Sequence, residues 1–294
     1  MSQINDPQGS NNTFVPKQAL APTPQLYDEL VGDGMQNLAK ATVAEIVPIE
    51  EGSVTLDDGC GTGAGTAAIA ASVSSHILST LSIKGVDINA ASLEAYTQKA
   101  AKNQWPAEAI NADAQNLTTI TPDCTFTHII GTAFLFVLPE DGVPAMKEMA
   151  RTLKSGGTAA LNSWYYVPNM DPIRIASQKT RPAGTPEIRG GLDKWSDLDF
   201  LKSTIVKAGF SENNITLVRR DVYCHAAEFD RYANMLWSFI GGTTSVGWLQ
   251  SDEENWDKAI DIVKEEHRKT PGFELMEDGT VKLKFVANIA VVTK

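Results

Sequence analysis

Cysteine is scarce in this 294-residue sequence, which contains only Cys60, Cys124 and Cys224. An odd number at wide spacings, without a C-x-x-C pair, indicates neither a disulfide framework nor a zinc-type ligand set. We therefore expect reduced thiols and a cytoplasmic protein.

Basic residues are also few compared with acidic ones: the sequence contains 25 Lys and Arg residues and 36 Asp and Glu residues. The formal net charge of −11 would repel a polyanion, so we expect neither nucleic acid nor an anionic membrane as a partner. The sequence has no apolar run of about 18 residues, the length of a membrane span. Residues 1–24 lack the basic start and apolar centre of a signal peptide, and we predict a disordered tail there.

What the sequence does contain is a glycine-rich segment behind a short apolar run. Residues 54–65 are V-T-L-D-D-G-C-G-T-G-A-G, and an alanine-rich stretch follows. This order predicts a strand, a tight turn and a helix, as in the first βα unit of a nucleotide-binding α/β domain. Gly59, Gly61 and Gly63 would let a ligand approach the backbone, and the helix would offer free N–H groups at its start.

Acidic residues end three successive predicted strands, at Asp57, Asp87 and Asp113. A carboxylate accepts two hydrogen bonds, so Asp87 suits both hydroxyls of a ribose and Asp113 suits an exocyclic amine such as that of adenine. Asp57 and Asp58 make the glycine segment negative, and no Lys or Arg adjoins it in sequence. A pyrophosphate would bind poorly there and a cation well. S-adenosylmethionine is an adenosine that carries such a cation.

With these motifs the sequence resembles the class I S-adenosylmethionine-dependent methyltransferases. The first four motifs of that family resemble L-D-D-G-C-G-T-G-A-G, G-V-D-I-N, N-A-D-A and F-T-H-I-I-G-T-A-F. The segment R-T-L-K-S-G-G-T-A-A-L-N-S-W resembles the helix that leads into their fifth strand. The ending K-F-V-A-N-I-A-V-V-T-K is similar to that of fungal natural-product enzymes of the UbiE-like type, which methylate oxygen or thiol sulfur. Asp58 departs from the family, where an apolar or amide residue is usual.

The resemblance implies a role for each motif. Asp57 would organise the loop, the glycines would approach the amino-acid part and the ribose, and the next two motifs would hold ribose and adenine. Tyr27 is placed to fold over the ligand. The predicted cofactor site therefore consists of Tyr27, Asp57, Gly59, Gly61, Gly63, Asp87, Ile88, Asp113, Ala114 and Thr132.

The methyl acceptor is predicted from aromatic residues, because small-molecule pockets are mostly apolar. We expect Phe134, Trp164 and Tyr166 to contact it. No clear His–Asp dyad is visible and no catalytic residue is assigned, since methyl transfer needs a base only when the acceptor must lose a proton. This favours a thiol or a carboxylate over an aliphatic alcohol. No metal ion is predicted.

These elements predict a doubly wound, Rossmann-like α/β fold with a mostly parallel sheet of seven strands, the last antiparallel. Residues 25–294 would form one methyltransferase domain, with lid elements at about 25–47 and 223–275. Residues 165–194, which contain four prolines and three glycines, are predicted to be irregular.

We expect metal-free, in-line methylation of a small molecule of secondary metabolism, at a thiol or an oxygen. Two alternatives remain open at this point. One is a regulatory protein that binds S-adenosylmethionine, and the other is a related enzyme that uses the bound sulfonium for a non-methylating reaction. The sequence leaves the oligomeric state open, with a monomer as a plausible form.

Overall fold

An eight-stranded mixed sheet runs through the molecule, and the computed structural model describes residues 13–244 and 246–294 of it. The strand order is β3-β2-β1-β4-β5-β8-β6, and β7 pairs with β8 outside this path. The strands are β1 Val54–Asp58, β2 Ser82–Asp87, β3 Ala107–Asn111, β4 Phe126–Gly131, β5 Leu153–Tyr166, β6 Ile215–Glu228, β7 Glu274–Leu275 and β8 Thr280–Thr293.

The first five strands are parallel, and β8 is antiparallel to both β5 and β6. The predicted doubly wound, mostly parallel sheet with an antiparallel last strand is therefore confirmed. The number of strands is eight instead of seven, because the two-residue strand β7 pairs with β8 at Lys282 and Val281.

The helices connect these strands and cover both faces of the sheet. They are α1 Pro24–Val31, α2 Gly34–Val43, α3 Ala64–Ser72, α4 Ser75–Leu78, α5 Ala90–Lys102, α6 Val143–Thr152, α7 Met170–Thr180, α8 Leu198–Lys207, α9 Phe229–Ile240, α10 Gln250–Glu254 and α11 Trp256–His267.

The two faces of the sheet are buried by different helices. Ile129 and Ile130 are neighbours on β4, and neither has exposed surface. Ile129 packs in a cluster with Met146 of α6, whereas Ile130 packs in a cluster with Ile69 of α3. A parallel sheet with both faces covered needs such apolar pairs, because successive side chains point to opposite faces.

Four helices form a further core that we call the cover: α1, α7, α9 and α11. Its cluster contains Leu26 of α1, Ile173 of α7, Trp237 of α9 and Val263 of α11, together with Leu283 of β8. Segments from both ends of the described chain therefore pack together in the cover.

Part of the predicted tail at residues 1–24 is attached to the cover. The Leu20 N–H donates to Ser238 Oγ at 3.0 Å, and Lys17 Nζ lies 3.2 Å from Glu253 Oε1. Residues 1–12 of that predicted tail lie outside the described residues. Within the described ranges, no helix is long and apolar enough to cross a membrane.

His267, the last residue of α11, is buried without polar partners. Its side chain has no exposed surface, and neither ring nitrogen has a hydrogen-bond partner in the described chain. The rings of Phe229 and Tyr232 lie 6.4 and 5.6 Å from it, centroid to centroid. Burial in this apolar site lowers the pKa of His267 to about 3.

We expect this histidine to make the fold sensitive to mild acid. The unfolded chain takes up the proton near pH 6.5, so stability is retained above that pH and lost as the pH falls toward the folded pKa. The free energy of unfolding should fall by about 2 kcal/mol between pH 6.5 and pH 5 from this group, at about 1.4 kcal/mol per pH unit. Urea unfolding at both pH values should show a smaller drop for His267→Phe than for the exposed control His76→Gln, and equal drops would contradict the assignment.

Candidate functional site

The carboxylate of Asp57, at the end of β1, holds the start of α3. Its Oδ2 accepts hydrogen bonds from the Thr66 N–H at 2.7 Å and from the Thr66 hydroxyl at 2.8 Å. The Thr66 hydroxyl also lies 2.9 Å from the hydroxyl of Tyr96 on α5. Burial raises the pKa of Asp57 to about 7, although the hydrogen bonds from Thr66 oppose this shift. The glycine loop between β1 and α3 is thus tied down at both ends.

The three glycines of the loop share a backbone conformation but differ in the space around them. All three have a left-handed backbone, with φ of 69°, 51° and 90° at Gly59, Gly61 and Gly63. A Cβ on Gly59 would lie 2.8 Å from the Phe134 ring, and one on Gly63 would lie 2.9 Å from the Tyr96 ring. A Cβ on Gly61 would meet no atom within 4 Å. The loop is therefore open at Gly61, where a ligand can reach the backbone.

Asp87, at the end of β2, lies beside that opening. Its Oδ2 accepts from the Gly61 N–H at 2.9 Å, and its Oδ1 accepts from the Asn89 N–H at 2.8 Å. Since β1 and β2 are parallel neighbours with Asp58 opposite Val86, their carboxyl ends meet at one edge of the sheet. Asp87 is half-buried, which leaves part of its carboxylate accessible.

The end of β3 continues the same edge. Asp113 is exposed, and its Oδ1 accepts from the backbone and side-chain amides of Gln115 at 2.9 and 3.2 Å. Ala114 is buried, whereas the side chain of Ile88 is 63% exposed. An exposed isoleucine next to Asp87 provides an apolar surface suitable for a flat ring.

Asp58 is the buried acid at the position that departs from the family pattern. It has no exposed surface, and no described group makes a well-aligned hydrogen bond to its carboxyl oxygens, although the Gly59 N–H lies close enough to oppose the rise in its pKa. Burial, together with repulsion from Asp57, Asp87 and Asp113, holds the pKa of Asp58 well above its usual range. The raised pKa favours the neutral acid, and a cation bound nearby would favour the carboxylate. This donor set fits a positively charged adenosine and disfavours a phosphate.

The loop after β4 is held by a residue that the sequence did not indicate. The Ala133 N–H donates to Asn162 Oδ1 at 2.8 Å, and Asn162 Nδ2 donates to Thr42 Oγ1 at 2.9 Å. Asn162 is buried on β5, and Ala133 has a positive φ of 55°. The hydroxyl of Thr132, from the predicted cofactor site, is buried without a hydrogen-bond partner in the described residues. A buried asparagine inside an apolar strand was the one available signal for this network.

The three predicted acceptor residues do not share a cluster. Phe134 is 7% exposed, and its ring packs against Gly59 and Gly131. Trp164 packs against Phe285 at 5.2 Å between ring centroids, in another cluster. Tyr166 is half-buried, and burial raises the pKa of its phenol. Phe134 therefore contacts the glycine loop, while Trp164 lies nearer to β8.

Tyr27 joins α1 to α9 in the cover. It is half-buried, and its ring lies 5.5 Å from the Phe239 ring, centroid to centroid. Burial raises the pKa of its phenol, and the nearby Arg189 guanidinium opposes that shift.

The structure contains a His–Asp pair that was not visible in the sequence. His225 Nδ1, on β6, lies 3.0 Å from Asp33 Oδ2, and the His225 N–H donates to Asp33 Oδ1 at 2.7 Å. The pair links the turn between α1 and α2 to β6, and its side chains are 52% and 40% exposed. The two residues are 192 positions apart, so no local pattern could reveal the pair. Among the described residues, no group of three or more His, Cys, Asp or Glu side chains is arranged to hold a metal ion.

Comparison with known proteins gives consistent results. Residues 55–157 match a family described as a methyltransferase domain. The chain is 26% identical over 248 residues to methyltransferase ktnA of Aspergillus niger, covering 76% of this chain and 81% of that protein. It is 26% identical over 244 residues to methyltransferase tpcH of Aspergillus fumigatus, covering 81% of this chain and 83% of that protein. A solved structure of a putative methyltransferase from Bacillus halodurans has the same fold, with a TM-score of 0.53 at 14% identity, over 87% of this chain and 98% of that one.

Proposed function

We propose that this chain, a class I S-adenosylmethionine-dependent methyltransferase, methylates a small molecule of secondary metabolism at a sulfur or an oxygen atom. The observation that supports this most is the set of four acids, Asp57, Asp58, Asp87 and Asp113, around an open glycine loop. Both Aspergillus relatives are named methyltransferases, which supports methyl transfer as the reaction. A cytoplasmic location stays a prediction from the sequence.

The residues that we assign to the cofactor act by binding and orientation. When bound, S-adenosylmethionine supplies a methyl group on a positively charged sulfur. Asp57 keeps the loop in shape, Asp87 receives ribose hydroxyls, and Asp113 accepts from the adenine amine. The remaining proposed contacts are Tyr27, Gly59, Gly61, Gly63, Ile88, Ala114 and Thr132.

The acceptor would bind on the far side of the loop, under the cover. We propose that α1, α2 and residues 223–275 act as lid elements that exclude water from this site. Phe134, Trp164 and Tyr166 stay our candidates for its apolar lining. Alignment and desolvation contribute much of the rate, because positioning alone is worth about 7–11 kcal/mol in favourable cases.

The choice of sulfur or oxygen depends on whether a base is needed. A thiol or a carboxylate needs little help, whereas an aliphatic alcohol must lose its proton to a base. The His225–Asp33 pair binds the turn between α1 and α2, so we assign it to anchoring the cover. A labelled-methyl assay across matched thiols, phenols, carboxylates and amines tests this point. Transfer to amines alone would contradict the proposal, and tight binding without any transfer would favour a regulatory protein.

Asp87→Ala should weaken the binding of S-adenosylhomocysteine by about 1.5–3 kcal/mol, the scale of a hydrogen bond to a charged group. The loss has two physical sources, because Asp87 also holds the Gly61 N–H in the loop. Calorimetric titration of the folded variant measures the change, with the exposed Asp123→Ala as the control. Unchanged affinity in Asp87→Ala would show that Asp87 does not contribute to ligand binding. No binding heat for S-adenosylhomocysteine with the wild-type protein would contradict the proposed function itself.

A further inference from the structure

Arg189 lies in the loop between α7 and α8 and has no counter-ion among the described residues. Its Nε is buried without a hydrogen-bond partner in the described chain, where no carboxylate lies within ion-pair distance of its guanidinium. Its backbone has a left-handed φ of 53°, which is strained for a residue with a side chain. The loop thus holds this side chain inward at a conformational cost.

The same loop contains a second arginine, Arg181, which has the partners expected of a structural residue. Arg181 is fully buried, and it pairs with Asp252 at 2.8 Å and donates to the Gly241 carbonyl, whereas Arg189 is half-buried and its Nε has no partner of either kind in the described chain. Glu187, two residues before Arg189, forms an ion pair with Arg174, with 3.2 Å between Glu187 Oε1 and Arg174 Nε. The other two acids of the loop are also engaged, because Asp193 pairs with Arg174 at 2.8 Å and Asp197 accepts from the Asp199 N–H at 2.9 Å. Because a buried cationic N–H without a partner is costly and no described carboxylate pairs with Arg189, a bound anion would stabilise this side chain.

The surroundings of Arg189 belong to the cover. The neighbouring residue Ile188 packs in the same cluster as Leu26 of α1 and Trp237 of α9. The Arg189 guanidinium acts electrostatically on the phenol of Tyr27, whose ring packs on Phe239. The Nε1 of Trp237 is a further buried donor without a hydrogen-bond partner in the described residues. The cover thus combines aromatic rings with donors that lack acceptors.

We propose that Arg189, assisted by Tyr27, binds an acidic oxygen group on the methyl acceptor, and that the acceptor is an aromatic or similarly apolar acid. This inference rests on the proposed function, since it concerns the acceptor of the same site. The planar guanidinium donates two parallel hydrogen bonds to a carboxylate, which fixes orientation as well as charge. Binding of the acidic group positions the acceptor, and the apolar part of the acceptor packs against the aromatic rings of the cover.

Benzoate and benzamide form a matched pair of probes, because they differ chiefly in charge at the same shape. We would measure the melting temperature of the protein saturated with S-adenosylhomocysteine, at equal ionic strength, with each probe. Benzoate is expected to raise the melting temperature of the wild-type protein by at least about 3 °C more than benzamide. In Arg189→Met this difference should fall below about 1 °C, and Arg189→Lys should keep part of it.

Arg231→Met is the control, since Arg231 pairs with Glu29 on the surface and should leave the benzoate preference unchanged. Equal effects of both probes on the wild-type protein, or an unchanged preference in Arg189→Met, would overturn the proposal. A melting temperature of ligand-free Arg189→Met several degrees below wild type would also overturn it, because it would make Arg189 a structural residue. Binding of S-adenosylhomocysteine is scored separately by calorimetry. Its absence refutes the proposed function, whereas its presence without a benzoate preference refutes only the binding of an acidic group by Arg189.

Discussion

Replacing Asp252 by alanine should lower the free energy of unfolding by about 3–5 kcal/mol, the cost of leaving one partner of a buried ion pair alone. Neither Arg181 nor Asp252 has exposed side-chain surface. The two carboxylate oxygens of Asp252 accept from Arg181 Nε and Nη2 at 2.8 and 2.9 Å. Its Oδ2 also accepts from the Leu249 N–H at 2.8 Å, so the start of α10 loses its cap as well.

The double variant Arg181→Met, Asp252→Leu is the matched control for this effect. It removes both charges, so its loss should be clearly smaller than the sum of the two single losses. Urea unfolding followed by tryptophan fluorescence measures all of these values. A loss below about 1 kcal/mol for Asp252→Ala would mean that the pair is screened by water, contrary to its burial.

Asp57→Ala should cost about 2–4 kcal/mol of unfolding free energy and weaken S-adenosylhomocysteine binding at least about tenfold. The Thr66 N–H loses its acceptor, while the Thr66 hydroxyl keeps Tyr96 as a partner. The glycine loop is then no longer fixed to the start of α3, so the ligand must order it on binding.

Asp57→Asn keeps the size and one acceptor oxygen of the side chain but removes its ionisable group, so it tests the two contributions separately. The amide oxygen can still accept from the Thr66 N–H, so we expect less than half of the stability loss of the alanine variant. Urea unfolding and calorimetric titration of both variants test this. Wild-type ligand affinity in Asp57→Ala would show that the loop keeps its shape without this carboxylate.

The parts of the site that follow from local sequence were predictable. An apolar run that ends in an acid and a glycine loop specifies a strand, a turn and a helix within a dozen neighbouring residues. The family resemblance then supplied the order of Asp57, Asp87 and Asp113. Their meeting at one edge follows from parallel pairing, which the βα repeats predict.

Features that depend on distant pairs could not be predicted in this way. Asn162 holds Ala133 across two strands, and Asp33 meets His225 on β6. Asn162 was notable only as an asparagine inside an apolar strand, and the Asp33–His225 pair has no local signature, because polar residues in loops and strands occur for many reasons.

Residues 165–194 were expected to be irregular, and that expectation is wrong for its first half. β5 extends to Tyr166, and α7 spans Met170–Thr180. Pro172 lies in the first turn of α7, where backbone N–H groups have no partner within the helix. A proline there is compatible with a helix, so the number of prolines led us to predict too little regular structure for the segment.

The position of β8 has a consequence for the order of folding. Although β8 is the last strand in sequence, it lies inside the sheet, with Ala160 of β5 and Thr216 of β6 both opposite Val291. As the chain leaves the ribosome, β5 keeps an unpaired edge and β6 has no neighbour until residues 280–293 emerge. The core of the cover is also incomplete until Leu283, one of its residues, has been synthesised. The half of the protein that we assign to the acceptor therefore assembles after synthesis of the parallel strands, and chains truncated before β8 should be prone to aggregation.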